Sequence, residues 1–171
     1  AGFDIVPPIE IVDYGKGVGS AQAWVDGDIA ANVSKEYEKD ARANHPDLHR
    51  LAALDALVVN TDRHGGNFMK GKDGRWYAID NGLILPKHDQ IESIRSEPME
   101  SVRGRAIHPE VKKEIAALTP ESLRKALTES GFGEGDVKAA VVRLNILKEA
   151  KVWPGRRDFI DEMKDKVRGL R

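Results

Sequence analysis

The chain has 171 residues, 40% hydrophobic and 32% charged, enough for one globular domain with a real core. Its 27 basic and 28 acidic residues leave a net charge of −1, which lacks the basic footprint of an obligate nucleic-acid binder. With no cysteine, disulfides, thiolate metal sites and thiol nucleophiles are excluded as well.

No apolar run approaches the roughly 18 residues of a membrane helix, and the N-terminus lacks a signal peptide's basic and apolar regions. A cytoplasmic protein with no membrane span is expected. Ala1 in place of Met predicts a chain that is processed, or cut from something longer.

Residues 2–25 read as extended: Asp4–Val12 is β-branched, and Pro7-Pro8 forbids helix. Gly15–Ser20 is expected as a turn and Ala21–Val25 as a second strand. The glycines beside Lys16 do not fit a P-loop, because no Gly-Lys-Ser/Thr closes them. Asp26–Ile29 is expected as a loop and Ala30–Ala43 as a mildly helical stretch with Ser34 as a possible N-cap before Lys35-Glu36. The next helix is clearer: Asn44 or His45 caps it, Pro46 fits the first turn, and Leu48, Leu51, Leu54, Leu57 and Val58 form one apolar stripe. Phe68-Met69 and Trp76–Ile79 read as strands joined by a turn carrying Asp73-Gly74. Leu83–Pro86 should leave as a buried extended segment. Helices are then expected over 109–118, 120–130, from Asp136 as cap through Lys151, and over 157–167.

Two polar clusters stand at the ends of these apolar elements, Asp62–Asn67 and Asp80-Asn81-Gly82. Either alone reads as a solvated turn. Together, separated by a hairpin, they have the layout of a phosphotransferase centre, in which catalysis is mostly positioning and charge neutralisation. Asp62 would receive the proton of a substrate hydroxyl, and His64 could share it or stabilise phosphoryl charge. Asn67 and Asp80 offer hard oxygen ligands for Mg²⁺. Arg63 is expected to anchor the loop. His45, His49, His88 and His108 lack zinc-ligand spacing and read as surface structural residues.

Asn60–Asn67 followed by Ile79–Gly82 resembles the catalytic and metal loops of the phosphoinositide-kinase-like superfamily, closest to its bacterial and phage branch and more distantly to HipA-type toxin kinases. Val6-Pro7-Pro8 and Gly19–Gln22 are similar to that branch's approach to the interlobe hinge. The resemblance covers roughly residues 1–86. It implies an α+β, protein-kinase-like fold, mostly the helical large lobe with the last strands of the small lobe. Residues 1–25 would be the small-lobe remnant and hinge, and 26–171 the large lobe with catalytic loop 60–67 and metal loop 80–82. It further implies Asp62 and His64 as catalytic residues, Asn67 and Asp80 as Mg²⁺ ligands, and Gln22, Trp24 and Val25 as the hinge that meets the adenine of ATP.

Two departures from the family pattern are visible. The metal loop reads Asp-Asn-Gly where many kinases have Asp-Phe-Gly. The nucleotide-covering loop and phosphate-binding Lys are expected upstream, on a segment that completes the small lobe; Lys16 is the one candidate within the chain. The leading expectation is ATP-dependent transfer of a phosphoryl group to a hydroxyl, on a protein in preference to a lipid, with a small molecule as a further option. The alternative is a non-catalytic kinase-like module that binds nucleotide or a partner protein. A third reading makes residues 105–171 a helical interaction surface.

Overall fold

A computed structural model describes residues 3–87 and 89–169. His88 lies outside them. Strands β1 (Ile9–Asp13) and β2 (Val18–Gln22) form an antiparallel hairpin with Ile9 opposite Gln22. The second strand therefore starts earlier than the sequence suggested, and Ala23–Val25 lies beyond it. The turn narrows to the stretch around Gly15 and Gly17, both with positive φ. Ile11 and Val18 remain largely exposed on this hairpin, as does Trp24 just beyond it.

The second sheet has the order β3 (Gly27–Ile29), β4 (Phe68–Gly71), β5 (Trp76–Ala78), all antiparallel. Strand β3 stands where a loop was expected. Its residues have little strand propensity; pairing with β4 makes the strand. The approach is close: a Cβ on Gly27 would lie 2.0 Å from the carbonyl oxygen of Lys70, so only glycine fits. The N-terminal segment joins the far edge through Ala78 N–H donating to the Ile5 carbonyl (2.8 Å), with Phe3 and Ile5 buried.

Helices α1 (Ser34–Arg42) and α2 (Pro46–Val58) lie between these strands in sequence; Val33, not Ser34, is the N-cap of α1, and Ser34 begins the helix itself. His45 caps α2, its Nδ1 accepting from the Asp47 N–H (3.2 Å), and Pro46 occupies the first turn. The expected single stripe on α2 proves too narrow. From Asp47 to Leu57 every residue except Arg50 is buried, because α3 (Glu97–Val102), α4 (Pro109–Ala117), α6 (Glu134–Glu149) and β5 surround it. Helices α5 (Pro120–Glu129) and α7 (Arg156–Arg168) complete the C-terminal half. Thr119 and Ser122 form a reciprocal cap at α5.

Other expectations need correction. Gly133, not Asp136, caps α6, and Asp136 sits in the first turn where its charge suits the helix dipole. Leu83 is exposed rather than buried, since the chain turns at Gly82-Leu83. His49 is fully buried rather than on a surface. Its Nε2 is 2.9 Å from Asn44 Oδ1, and its Nδ1 accepts from the His108 N–H (3.1 Å) and Trp153 Nε1 (2.7 Å). Burial, with cationic neighbours, pushes its pKa down to about 4, so the ring is neutral.

The fold is thus α+β. Among the described residues no helix is long and apolar enough to cross a membrane.

Candidate active site

Helix α2 ends at Val58, and the next residue, Val59, takes a left-handed conformation (φ 51°) although it is β-branched and fully buried. That conformation is costly for such a residue and persists only where its surroundings over-determine it. Here Arg143 of α6, itself buried, donates from Nε to the Leu57 carbonyl (2.7 Å) and ties down the helix end. Burial lowers the Arg143 pKa to about 10, which leaves it charged. Leu85 N–H also reaches back to the Val58 carbonyl (2.6 Å). The helix end is fixed from two sides, and the loop starts from a fixed point.

The loop itself is organised by Arg63, whose side chain is wholly buried. Its Nε bonds Asp55 Oδ1 of α2 (3.1 Å), and its Nη1 donates to the carbonyls of Asn67 (2.5 Å) and Ile79 (2.6 Å). Its Nη2 donates to Asn81 Oδ1. One planar guanidinium therefore joins α2, the end of the 60–67 loop and the 79–81 segment. A fixed fork of five donors suits this task, and a lysine could not replace it. Asp55 also accepts from Ser96 Oγ (2.7 Å), while the same Ser96 oxygen caps α3 by accepting from the Met99 N–H (3.1 Å). Burial pushes the Asp55 pKa up to about 6, opposed by Arg63 and Ser96.

Backbone pairing closes the loop's other side. Arg63 N–H donates to the Arg95 carbonyl (2.8 Å), Glu97 N–H to the Arg63 carbonyl (3.0 Å), and Arg95 N–H to the Asn60 carbonyl (3.0 Å). Within the loop, Asp62 N–H is taken by Asn60 Oδ1 (2.8 Å), and Asn67 Nδ2 donates to the Asp62 carbonyl (2.7 Å). That last bond orients the Asn67 amide. Among the described residues its Oδ1 takes part in no hydrogen bond.

The expected site residues fall into two groups. Asp62 Oδ1 pairs with Arg95 Nη1 at 2.9 Å, and Asp62 Oδ2 lies 3.7 Å from His64 Nε2. His64 Nδ1 accepts from the Gly66 N–H (3.0 Å), so the neutral ring carries its proton on Nε2, toward Asp62. This needs glycine at 66, because a Cβ there would come within 2.8 Å of the imidazole. Asp62 and His64 line a cleft of about 570 Å³ with Ser34, Arg95 and Glu97. Asn67 faces Ile79, the residue before Asp80, since Ile79 N–H donates to the Asn67 carbonyl (3.1 Å) one step beyond the Phe68–Ala78 pair. Asp80 is exposed and holds a left-handed φ of 47°.

Trp24 and Val25 stand apart from both groups. They line a separate cleft of about 370 Å³ with Pro7, Pro8 and Tyr77, at the turn end of the β4–β5 hairpin. No residue of the 60–67 loop reaches it, and Gln22 is exposed on β2 outside its lining. Four residues at about 3.3 Å each put that end roughly 13 Å from Asn67, the scale of an extended nucleotide.

Sequence reasoning missed Asp55, Arg95, Ser96 and Glu97. Asp55 carried a readable signal, a lone carboxylate in a Leu- and Ala-rich helix. Ser96 before Glu97-Pro98 has the form of a helix start. Nothing in the sequence indicated that this start pairs with Arg63.

The donor set fits a hard cation. An amide oxygen and a carboxylate suit Mg²⁺, which is ordinarily held by one or two protein oxygens together with substrate phosphates. Among the described residues no cluster of three His, Cys, Asp or Glu forms a self-sufficient metal cage.

Comparison with known proteins gives two relatives. Protein Rv2133c of Mycobacterium tuberculosis is 26% identical over 188 aligned positions, covering 90% of this chain and 66% of that protein. Phosphatidylinositol 4-kinase gamma 4 of Oryza sativa subsp. japonica is 35% identical over 96 positions, 50% of this chain and 16% of that protein. The chain thus spans less than two thirds of the length of either relative. The family described as phosphatidylinositol 3- and 4-kinase matches residues 34–125, more than half of the chain and the stretch that holds Arg63 and its partners, and the chain belongs to that family.

Proposed function

We propose that this chain is the catalytic lobe of an ATP-dependent phosphotransferase that acts on a hydroxyl, with a protein acceptor favoured over a lipid. The observation that supports the reading is the backbone bond between Asn67 and Ile79, which joins the end of the 60–67 loop to the residue before Asp80, while Asp62 lines the adjoining cleft. Asn67 and Asp80 would hold Mg²⁺, which supplies neutralisation of phosphate charge when bound. Asp62 takes the acceptor's proton as the hydroxyl oxygen bonds to the γ-phosphorus and the bond to the β-bridging oxygen breaks, releasing ADP. His64, with its proton on Nε2, stabilises charge on the Asp62 side. Trp24 and Val25, with Gln22 behind them, are the proposed adenine contacts. Residues 1–25 serve as small-lobe remnant and hinge, and 26–171 as the large lobe. A separate N-terminal segment supplying the nucleotide-covering loop and its lysine belongs to this reading. Use of ATP implies a cytoplasmic protein.

The test is a calorimetric titration of ATP with Mg²⁺ into wild-type, Asp80→Ala and Asp62→Asn chains. Binding should vanish in Asp80→Ala and survive in Asp62→Asn. Transfer from labelled ATP should fall about 10²- to 10⁴-fold in Asp62→Asn, the usual contribution of a positioned base. Unaltered nucleotide binding in Asp80→Ala sinks the metal assignment; a wild type that binds no nucleotide means either that the N-terminal segment is needed or that the chain only binds a partner, and repeating the titration with the parent-length protein separates the two.

A further inference from the structure

We propose that Arg95 selects the acceptor: its guanidinium guards Asp62 at rest and passes to an acidic side chain of a peptide lying in the neighbouring groove, freeing Asp62 for the peptide's hydroxyl. The inference rests on the reading of Asp62 as the base. The Arg95 backbone is pinned to the loop at both its N–H and its carbonyl, so the residue cannot drift. Its side chain is 60% exposed and, among the described residues, carries a single ion pair, to Asp62. An ion pair this open shifts an equilibrium by less than about tenfold, so a better-placed carboxylate can capture the guanidinium.

Arg95 lines two cavities. One is the cleft above Asp62 and His64. The other is a groove of about 800 Å³ between residues 92–95, α3 and the start of α7. In that groove Arg103 and Arg156 share the one carboxylate of Glu100, at 3.3 Å and 3.0 Å. Arg157 and Lys164 make no ion pair among the described residues. Glu92, Asp158 and Asp161 are interleaved with these cations. A lining of alternating sign suits a peptide of mixed charge. It offers no uniformly basic face to a continuous sheet of anionic headgroups, because carboxylates interrupt the cations.

The position of Arg95 at the junction gives the selection a physical route. A peptide without an acidic neighbour leaves the guanidinium on Asp62 Oδ1, where it competes with the incoming hydroxyl. A peptide with one removes the competitor as it binds. Arg95 is then a specificity residue, acting through an exchange of counter-ions.

The test uses a serine peptide flanked by aspartates and its asparagine counterpart, titrated by fluorescence anisotropy into wild-type, Arg95→Ala and Asp62→Asn chains without nucleotide. Wild type should bind the aspartate peptide about tenfold tighter, and Arg95→Ala should erase that ratio. Asp62→Asn should strengthen aspartate-peptide binding roughly two- to fivefold, since the guanidinium no longer has to be won from Asp62. Equal binding of both peptides to wild type overturns the proposal, as does a ratio that Arg95→Ala leaves intact. Capture of phosphatidylinositol-containing phosphatidylcholine vesicles in place of peptide, lost in Arg95→Ala, overturns the peptide assignment. No step here needs phosphoryl transfer. The expected peptide pattern without transfer from ATP therefore sinks the kinase reading alone, and transfer lost in Asp62→Asn without the peptide pattern sinks the role of Arg95 alone.

Discussion

His49 and Asp55 lie on the same helix and both are fully buried, yet one is a neutral ring and the other half of an ion pair. His49 collects contacts from Asn44, His108 and Trp153, and so fastens the C-terminal helices to α2. Asp55 collects Arg63 and Ser96, and so fastens the loop that carries Asp62. A scaffold joint needs only satisfied hydrogen bonds, which a neutral ring supplies with little desolvation cost. A loop that must present side chains at fixed angles gains from a guanidinium, whose rigid donors set direction as well as attraction. The charged anchor is the more demanding one, because each partner removed leaves a charge buried alone.

Arg63→Met tests that cost most directly. It should destabilise the protein by about 3–5 kcal/mol in urea unfolding, by stranding the Asp55 carboxylate. Adding Asp55→Asn should recover part of the loss. If the double variant is no more stable than Arg63→Met, the stranded charge is not the cause.

The pH dependence separates the two anchors by sign. His49 has a folded pKa of about 4 against an ordinary 6.5, so its contribution is complete above pH 6.5 and is lost as the pH falls toward 4. Asp55 has a folded pKa of about 6 against an ordinary 3.8; its folded form prefers the proton, so its contribution improves as the pH falls from 6 toward 3.8. In wild type the two slopes oppose each other between about pH 6 and 4. His49→Gln removes one, and unfolding free energy should then fall less on acidification than it does in wild type. Parallel curves for wild type and variant would refute the opposition.

Ser96→Ala makes the smallest change. It deletes one bond to the buried carboxylate and one helix cap, at about 2 kcal/mol by thermal or urea unfolding. A loss confined to a few tenths would assign the hold on Asp55 to Arg63 alone.

How much was legible follows from the range of each interaction. Pro46 and the three-and-four spacing after it announced α2, and Asp73-Gly74 announced the β4–β5 turn, where Gly74 has φ +83°. Both are local signals. The width of α2's buried surface was hidden, because it depends on which elements surround the helix. Strand β3 was hidden because Gly27-Asp28-Ile29 owes its form to β4. Arg63 was readable as an anchor from its place within the first polar cluster. Its pairing with Ser96 was not, since the isolated parallel bridge joining them is a tertiary contact between irregular segments. His49 was misplaced for the same reason: its partners His108 and Trp153 come from distant stretches of chain.

The separations along the chain also bear on the order in which the molecule is made. Arg63 reaches Asp55, Asn67, Ile79 and Asn81 across 8, 4, 16 and 18 residues, and Asp55 reaches Ser96 across 41. His49 must wait for His108, 59 residues on, and Trp153, 104 residues on. Short closures cost less chain entropy and form sooner. During synthesis, Arg63 and Asp55 have all the partners named for them once α3 has emerged, while the tie from Arg143 to the end of α2 waits for α6. The helices that later shield this pair arrive at a knot already tied.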